Sequence, residues 1–257
     1  MRTFNAYEYN HLVKFGFDPI ALSATVEHDI PVGYITNKVE FHGRIFNLSR
    51  DTLIPRHETE ELIDLAISNF QTPPLKITFA DIGTGSGAIG ITFAAELGVR
   101  NITYSAFLSD ISEGALQITK SNAKELLDYK ESVETTIDSE GEIKIFKADL
   151  LQGYPKNIKL DVIFANLPYI PSGRLPGLDN SVKNYEPHSA LDGGPDGLKY
   201  IRELLNQSPE FLSPNGIVLL EVDDSHTNAS DFYNKWDITI IQDSNKKNRF
   251  WLCKLRN

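Results

Sequence analysis

Asp81-Ile82-Gly83-Thr84-Gly85-Ser86-Gly87-Ala88-Ile89 joins two segments of opposite character, and its reading decides the fold. Before it, Lys76-Ile77-Thr78-Phe79-Ala80 is the short apolar run of a buried strand. After it, Ala88 to Leu97 reads as a helix. Glycines at alternate positions allow a sharp strand-to-helix turn and let a ligand approach the backbone closely. The loop lacks the Lys-Ser/Thr ending of a phosphate-binding loop. Gly83, Gly85 and Gly87 also miss the strict Gly-x-Gly-x-x-Gly spacing of dinucleotide folds. A tight strand–helix connection without a ligand is the plain alternative.

Downstream, strands and helices alternate, the signature of a parallel sheet with crossovers. Tyr104 to Leu108 is a second strand, ending at Ser109-Asp110. Ser112 can cap a helix whose inner face is Ala115, Leu116, Thr119, Ala123, Leu126 and Leu127. Residues 128–142 are charged and polar and read as a fraying helix end and a surface loop. Ile143 to Phe146 and Asp161 to Ala165 are further strands. A Gly- and Pro-rich loop spans Pro171 to Gly197, and Asp196 is placed to cap a helix carrying Leu198, Ile201, Leu204 and Leu205. Gly216 to Val222 is strand five, followed by strand-like runs Ile238 to Ile241 and Phe250 to Cys253.

Upstream, residues 1–30 carry weak helical signals that end near Asp18-Pro19. Val39, Phe41, Ile45, Phe46 and Leu48 around Gly43 suggest two short strands and a turn. After Pro55 the positions Leu62, Ile63, Ala66 and Phe70 keep helical spacing.

Composition narrows the function. The 257 residues are 41% hydrophobic and 23% charged, an ordinary globular balance. No run of about 18 apolar residues reads as a membrane span, and Met1-Arg2-Thr3-Phe4-Asn5 has no signal-peptide core. One cysteine, Cys253, excludes a disulfide framework within the chain and points to the cytoplasm. A net charge of −10 argues against nucleic acid as the main partner. The six histidines show no metal-ligand spacing, so no metal is expected; His57 and His188 read as surface or packing residues.

The chemistry lies in Asn166-Leu167-Pro168-Tyr169, at the C-terminal end of a buried strand, where open α/β sheets hold their ligands. An amide side chain, backbone carbonyls and an aromatic wall suit a planar –NH2 group; a proline-closed turn is the alternative. The Asp110 carboxylate suits both hydroxyls of a ribose, and equally a helix cap. Asp149-Leu150 follows the third strand, where Asp149 suits an adenine edge or a solvated turn.

Taken together, Asp81 to Gly87, Asp110 and Asn166 to Tyr169 resemble an S-adenosylmethionine-dependent methyltransferase with an (Asn/Asp)-x-Pro-Tyr site. Leu53-Ile54-Pro55-Arg56-His57-Glu58-Thr59-Glu60 resembles the Ile-Pro-Arg-x-Glu-Thr-Glu signature of the HemK/PrmC family, which methylates a glutamine side chain in peptide chain release factors. Pro31 to Ile35 and Glu40 to Gly43 resemble that family's β-hairpin. Tyr185 to Leu191 and Gly193 to Gly197 resemble its loop after the active site. The match covers roughly residues 31 to 255.

The resemblance implies a Rossmann-like α/β fold of class I: a mostly parallel seven-stranded sheet with helices on both faces. A short N-terminal segment and hairpin (1–53) would precede the methyltransferase domain (54–257). It implies S-adenosyl-L-methionine as cofactor, S-adenosyl-L-homocysteine as product, and a release factor as partner, with a monomeric enzyme expected. Gly83, Thr84, Gly85, Ser86 and Gly87 would line the methionine and ribose, Asp110 would hold the ribose hydroxyls, and Leu150 would lie at the adenine. Asn166 would also border the cofactor. Asn166, Leu167, Pro168 and Tyr169 would bind and position the glutamine amide, with Asn166, Pro168 and Tyr169 catalytic. Arg56, Glu58 and Glu60 would order the helix start, the two acids suiting its dipole as well.

Three departures stand out: Leu167 replaces the usual Pro, Asp223-Asp224 replaces a glycine-containing turn, and about 30 residues precede the hairpin where the family has a longer helical domain. A nucleic-acid adenine methyltransferase would use the same tetrapeptide, and a different protein glutamine would suit the same site. A dinucleotide oxidoreductase or a non-catalytic binding protein would share the sheet.

Overall fold

The computed structural model describes residues 1–70, 74–127, 136–137 and 141–256. In chain order the helices and strands are α1 (Ala6–Lys14), α2 (Pro19–Ser23), α3 (Val32–Thr36), β1 (Lys38–Phe41), β2 (Arg44–Asn47), α4 (Glu61–Asn69), β3 (Lys76–Ile82), α5 (Ala88–Val99), β4 (Thr103–Asp110) and α6 (Glu113–Leu126). They continue with β5 (Thr136–Ile137), β6 (Gly141–Lys147), β7 (Leu160–Ala165), α7 (Asn180–Lys183), α8 (Lys199–Gln207), β8 (Leu212–Glu221), β9 (Trp236–Gln242) and β10 (Asn248–Leu255).

The strands run in the order β5-β6-β4-β3-β7-β8-β10-β9. The block β6 to β8 is parallel, and β10 and β9 close one edge antiparallel. Seven of these strands are the ones expected. The eighth, β5, is a two-residue antiparallel edge on β6. It falls inside the stretch read as helix end and loop, and β6 itself begins at Gly141. Residues 128–135 and 138–140 lie outside the described residues.

Both faces of the sheet are buried, which is why its strands read as continuous apolar runs. Successive side chains alternate between two cores. Ile77, Phe79, Val162, Phe164, Ile217 and Leu219 pack with α4 and α5. Ala80, Ile82, Ile163, Ala165, Val218 and Leu220 pack with Ile201, Leu204 and Leu205 of α8. Helices thus cover both faces. The hairpin β1–β2 adds Val39, Phe41 and Phe46 to the first core.

Three local readings change. Asp18-Pro19 begins a helix instead of ending one: the Asp18 carboxylate accepts from the Ile20 and Ala21 amides, and proline suits the first helical position. Pro31 to Ile35 is no part of the hairpin; it forms α3, whose Tyr34 and Ile35 amides bond back to the Pro31 carbonyl. That turn buries Val32, Gly33, Tyr34 and Thr36 together, as a strand with alternating faces could not. Finally, α8 starts at Lys199 with Leu198 at its N-cap. Asp196 accepts from the Leu198 amide and pairs with Arg202.

Candidate active site

A cavity of about 270 Å³ opens at the C-terminal ends of β3, β4 and β7, the size of a small-molecule site more than of a water pocket. Gly83, Thr84, Gly85, Ser86, Asp110, Leu150, Asn166, Leu167 and Pro168 line it, joined by Asp149. Gly87 and Tyr169 stand behind the lining. Gly87 is the N-cap of α5 in the left-handed region. A Cβ there would come 2.5 Å from Ile91 Cδ1, so the turn needs glycine.

The glycine loop is held by neighbours on three elements. The Asp81 carboxylate, fully buried, accepts from the Thr84 hydroxyl (2.6 Å) and the Gly90 amide (2.9 Å). Burial raises its pKa to about 6, against those two bonds. Asp110 Oδ2 accepts from the Gly85 amide (2.9 Å) and Oδ1 from the Ser112 amide (2.8 Å). Asp110 is therefore both helix-start acceptor and cavity wall, and each oxygen keeps lone-pair capacity for a ligand. Burial raises its pKa too. On the far side, Asn122 of α6 donates to the Ser86 carbonyl (2.8 Å) and the Asn47 carbonyl (3.0 Å), and accepts from the Asn47 amide (2.7 Å). One buried amide thereby ties the hairpin to the loop.

The other half of the cavity is built from Asn166 to Pro168. Asn166 follows β7, and period two puts it on the same sheet face as Val162 and Phe164. Glu221 ends β8 on that face, because Phe164 pairs with Leu219 and Ala165 with Leu220. The turn of 3-10 helix His57–Glu60 brings Thr59 between them. Thr59 Oγ1 donates to Glu221 Oε2 (2.6 Å), Tyr169 Oη donates to Glu221 Oε1 (2.9 Å), and Asn166 Nδ2 donates to Thr59 Oγ1 (3.4 Å). Burial pushes the Glu221 carboxyl up; the bonds from Thr59 and Tyr169 oppose it, as do Arg249 and Arg56. Burial, then Glu221, holds the Tyr169 phenol well above its ordinary range. The aromatic ring on the cavity wall is Tyr200 of α8, while Tyr169 turns its hydroxyl to Glu221.

Leu167 contributes more than a backbone carbonyl. Its buried side chain would meet a Cβ on Gly83 at 3.0 Å, so it packs the seam between the two halves. Arg56 donates to Glu186 (2.5 Å), and their chain neighbours Pro55 and Pro187 line the cavity. Glu58 accepts from the Asn245 side chain, and Glu60 pairs with exposed His57. His188 is exposed as well. Asp223, from the departing turn after β8, pairs with Arg174 (2.7 Å) and accepts from Ser225. That bond links the turn to the loop following the active site.

Thr59, Glu221 and Tyr200 were not singled out by sequence. The legible signal for Glu221 was an acid ending an otherwise apolar strand. Thr59 lay within the recognised signature, and Tyr200 carried no signal. Among the described residues no cluster of three or more His, Cys, Asp or Glu could hold a metal, and no helix is long and apolar enough to cross a membrane.

The mostly parallel sheet, with a glycine-turned first crossover and the Asn166 to Tyr169 tetrapeptide after its fourth strand, is the fold of class I S-adenosylmethionine-dependent methyltransferases. A Listeria monocytogenes protein described as one superposes with a TM-score of 0.50 over 81% of this chain and 62% of its own, at 14% identity, which is likeness of fold. No protein-family model matches the chain. A release factor glutamine methyltransferase of Bacillus anthracis is 37% identical over 196 residues, 75% of this chain and 63% of that protein. One of Borreliella burgdorferi is 38% identical over 209 residues, 81% of this chain and 65% of that protein. The chain is similar to these release factor glutamine methyltransferases, and spans somewhat less than two thirds of their length.

Proposed function

We propose that the protein transfers a methyl group from S-adenosyl-L-methionine to the side-chain amide nitrogen of a glutamine in a peptide chain release factor. The observation that carries this reading is the continuity of one cavity from the glycine loop and Asp110 to Asn166 and Pro168. The glycine backbone, with φ of +69° at Gly83 and +58° at Gly85, leaves room for a close ligand. Asp110 supplies acceptors for ribose hydroxyls, and Leu150 an apolar wall for the base. When bound, the cofactor supplies an electrophilic methyl on a sulfonium.

An amide nitrogen is a weak nucleophile, its lone pair being delocalised into the carbonyl; the rotation barrier of ~18–20 kcal/mol measures that conjugation. Asn166 Oδ1 and the Leu167 carbonyl accept the two N–H bonds of the glutamine. This aims the nitrogen lone pair at the methyl carbon and stabilises the positive charge that develops on nitrogen. Held by residues 83–87 and Asp110, the cofactor would supply the methyl and leave as S-adenosyl-L-homocysteine, and the glutamine nitrogen, held by Asn166 and Leu167, would release its proton to water. Pro168 shapes the turn, and Tyr169 anchors it from behind while excluding water.

Residues 1–53 are read as the part that meets the protein substrate and 54–257 as the methyltransferase domain. Support comes from contacts across that division: Asp51 and Leu53 line the cavity, and Tyr185 donates to Glu27. The enzyme is read as a cytoplasmic monomer. An exocyclic adenine amine would suit Asn166 equally. The −10 charge favours the protein substrate.

The test is mass spectrometry of the cognate release factor incubated with this protein and S-adenosylmethionine. A single added methyl on a glutamine is expected. Methylation of RNA or DNA, with an unchanged release factor, would overturn the reading.

A further inference from the structure

The two faces of the Asn166 carboxamide are nearly identical in shape, and only one orientation presents an acceptor to the cavity. From the hydrogen-bond chain Glu221–Thr59–Asn166, we propose that Thr59 is a positioning residue that fixes this orientation. The inference rests on the reading of Asn166 as the amide-binding group, and concerns how that group is aimed.

The polarity of the chain follows from donor and acceptor counting. An ionised Glu221 has no proton to give, so it accepts from both Thr59 and Tyr169. The Thr59 hydroxyl has one proton, and the short 2.6 Å bond to Glu221 uses it. Toward Asn166 the Thr59 oxygen therefore offers only a lone pair. Asn166 meets it with Nδ2, at 3.4 Å, and Oδ1 is left turned the other way. Burial acts against the Glu221 charge; the bonds from Thr59 and Tyr169, then Arg249 and Arg56, favour it. Tyr169 holds the second carboxylate oxygen, so the acceptor cannot swing away from Thr59.

All members are placed by long-range structure. Glu221 is 2% exposed and Thr59 2% exposed, so water does not substitute readily for either. Removing the Thr59 oxygen leaves the Asn166 NH2 facing a wall without an acceptor. A flipped amide then becomes the better-satisfied state, because even a part-buried donor left without a partner is costly. In that state an NH2 group faces the substrate NH2, and the site repels what it should hold.

The experiment compares Thr59→Val, which matches the shape, and Thr59→Ser, which keeps the oxygen. Thr59→Val should lower kcat on the release factor about tenfold or more, with the calorimetric Kd for S-adenosylmethionine unchanged within about twofold. Thr59→Ser should restore most of the lost rate. In 15N spectra the Asn166 side-chain NH2 pair, identified by its absence in Asn166→Asp, should exchange slowly in wild type and Thr59→Ser and rapidly in Thr59→Val. Wild-type kcat in Thr59→Val, equal loss in both variants, or an Asn166 NH2 signal indifferent to the substitution would overturn the proposal. If wild type itself methylates no glutamine, the functional reading fails, and the NH2 exchange alone judges the chain of bonds.

Discussion

The two halves of the cavity are built by different means. On the glycine-loop side most of the bonds are shorter in range: Asp81 to Thr84 spans 3 residues, Asp81 to Gly90 spans 9, Asp110 to Gly85 spans 25 and Asn122 to Ser86 spans 36. On the amide side they are distant: Tyr169 to Glu221 spans 52 residues, Asn166 to Thr59 spans 107 and Thr59 to Glu221 spans 162. The first half is backbone shaped by glycine and anchored by two acids. The second is a set of side chains that meet only once the sheet has formed. A ligand-binding cradle tolerates the first construction, since backbone amides are rigid. Orienting a freely rotating carboxamide requires the second.

Breaking the distant half should cost most. Asn166→Ala is expected to lower kcat by about 10²–10³, the usual loss when one preorganised polar group at a reacting centre is removed. Cofactor affinity measured by calorimetry should stay within about twofold. Parallel losses in kcat and in cofactor binding would mean the two halves are not separable.

The local half offers a titration. Asp81 has a folded pKa of about 6, above its unfolded value of 3.8. Its contribution to stability is therefore fully present below pH 3.8 and lost as pH rises through about 6, a span worth up to about 3 kcal/mol. Denaturant melts of the ligand-free protein at pH 4.5 and 7.5 should show this loss in wild type. In Asp81→Asn the same pH interval should have a flatter profile. Equal slopes in both proteins would place the titration elsewhere.

The smallest effect is expected at Asp110. Asp110→Ala should weaken S-adenosylmethionine binding by about tenfold, as loss of charge-assisted bonds to a ligand commonly does. With saturating cofactor, kcat should fall by less than about threefold. A larger fall in kcat than in affinity would shift Asp110 into the methyl-transfer half.

Much of the local half was legible in sequence. Gly83, Gly85 and Gly87 sit between an apolar strand and a helix, and all three take positive φ. Asp110 was recognised at a strand end. Thr84, Ser86 and Leu150 fall on the cavity wall with them. The distant half was legible only as Asn166 to Tyr169, together with a resemblance that drew in residues 53–60. The one local mark of Glu221, an acid ending an apolar strand, does not name its partners, since such an acid also reads as an ordinary boundary. Tyr169 was read as a wall, yet its hydroxyl bonds Glu221 while Tyr200 lines the cavity. The α3 turn was missed because Val32 to Ile35 is too short an apolar run to show a period.

By itself the sequence determined the alternation of strands and helices, the two buried faces of the sheet and the glycine turn at its first crossover. Those features depend on hydrophobic period and backbone freedom, which are properties of adjacent residues. Only the tertiary structure decided that Thr59 stands between Asn166 and Glu221, that Leu167 seals the seam against Gly83, and that Asn122 ties the hairpin to the glycine loop. Those contacts depend on strand order and register, which bring together residues from 36 to 162 positions apart.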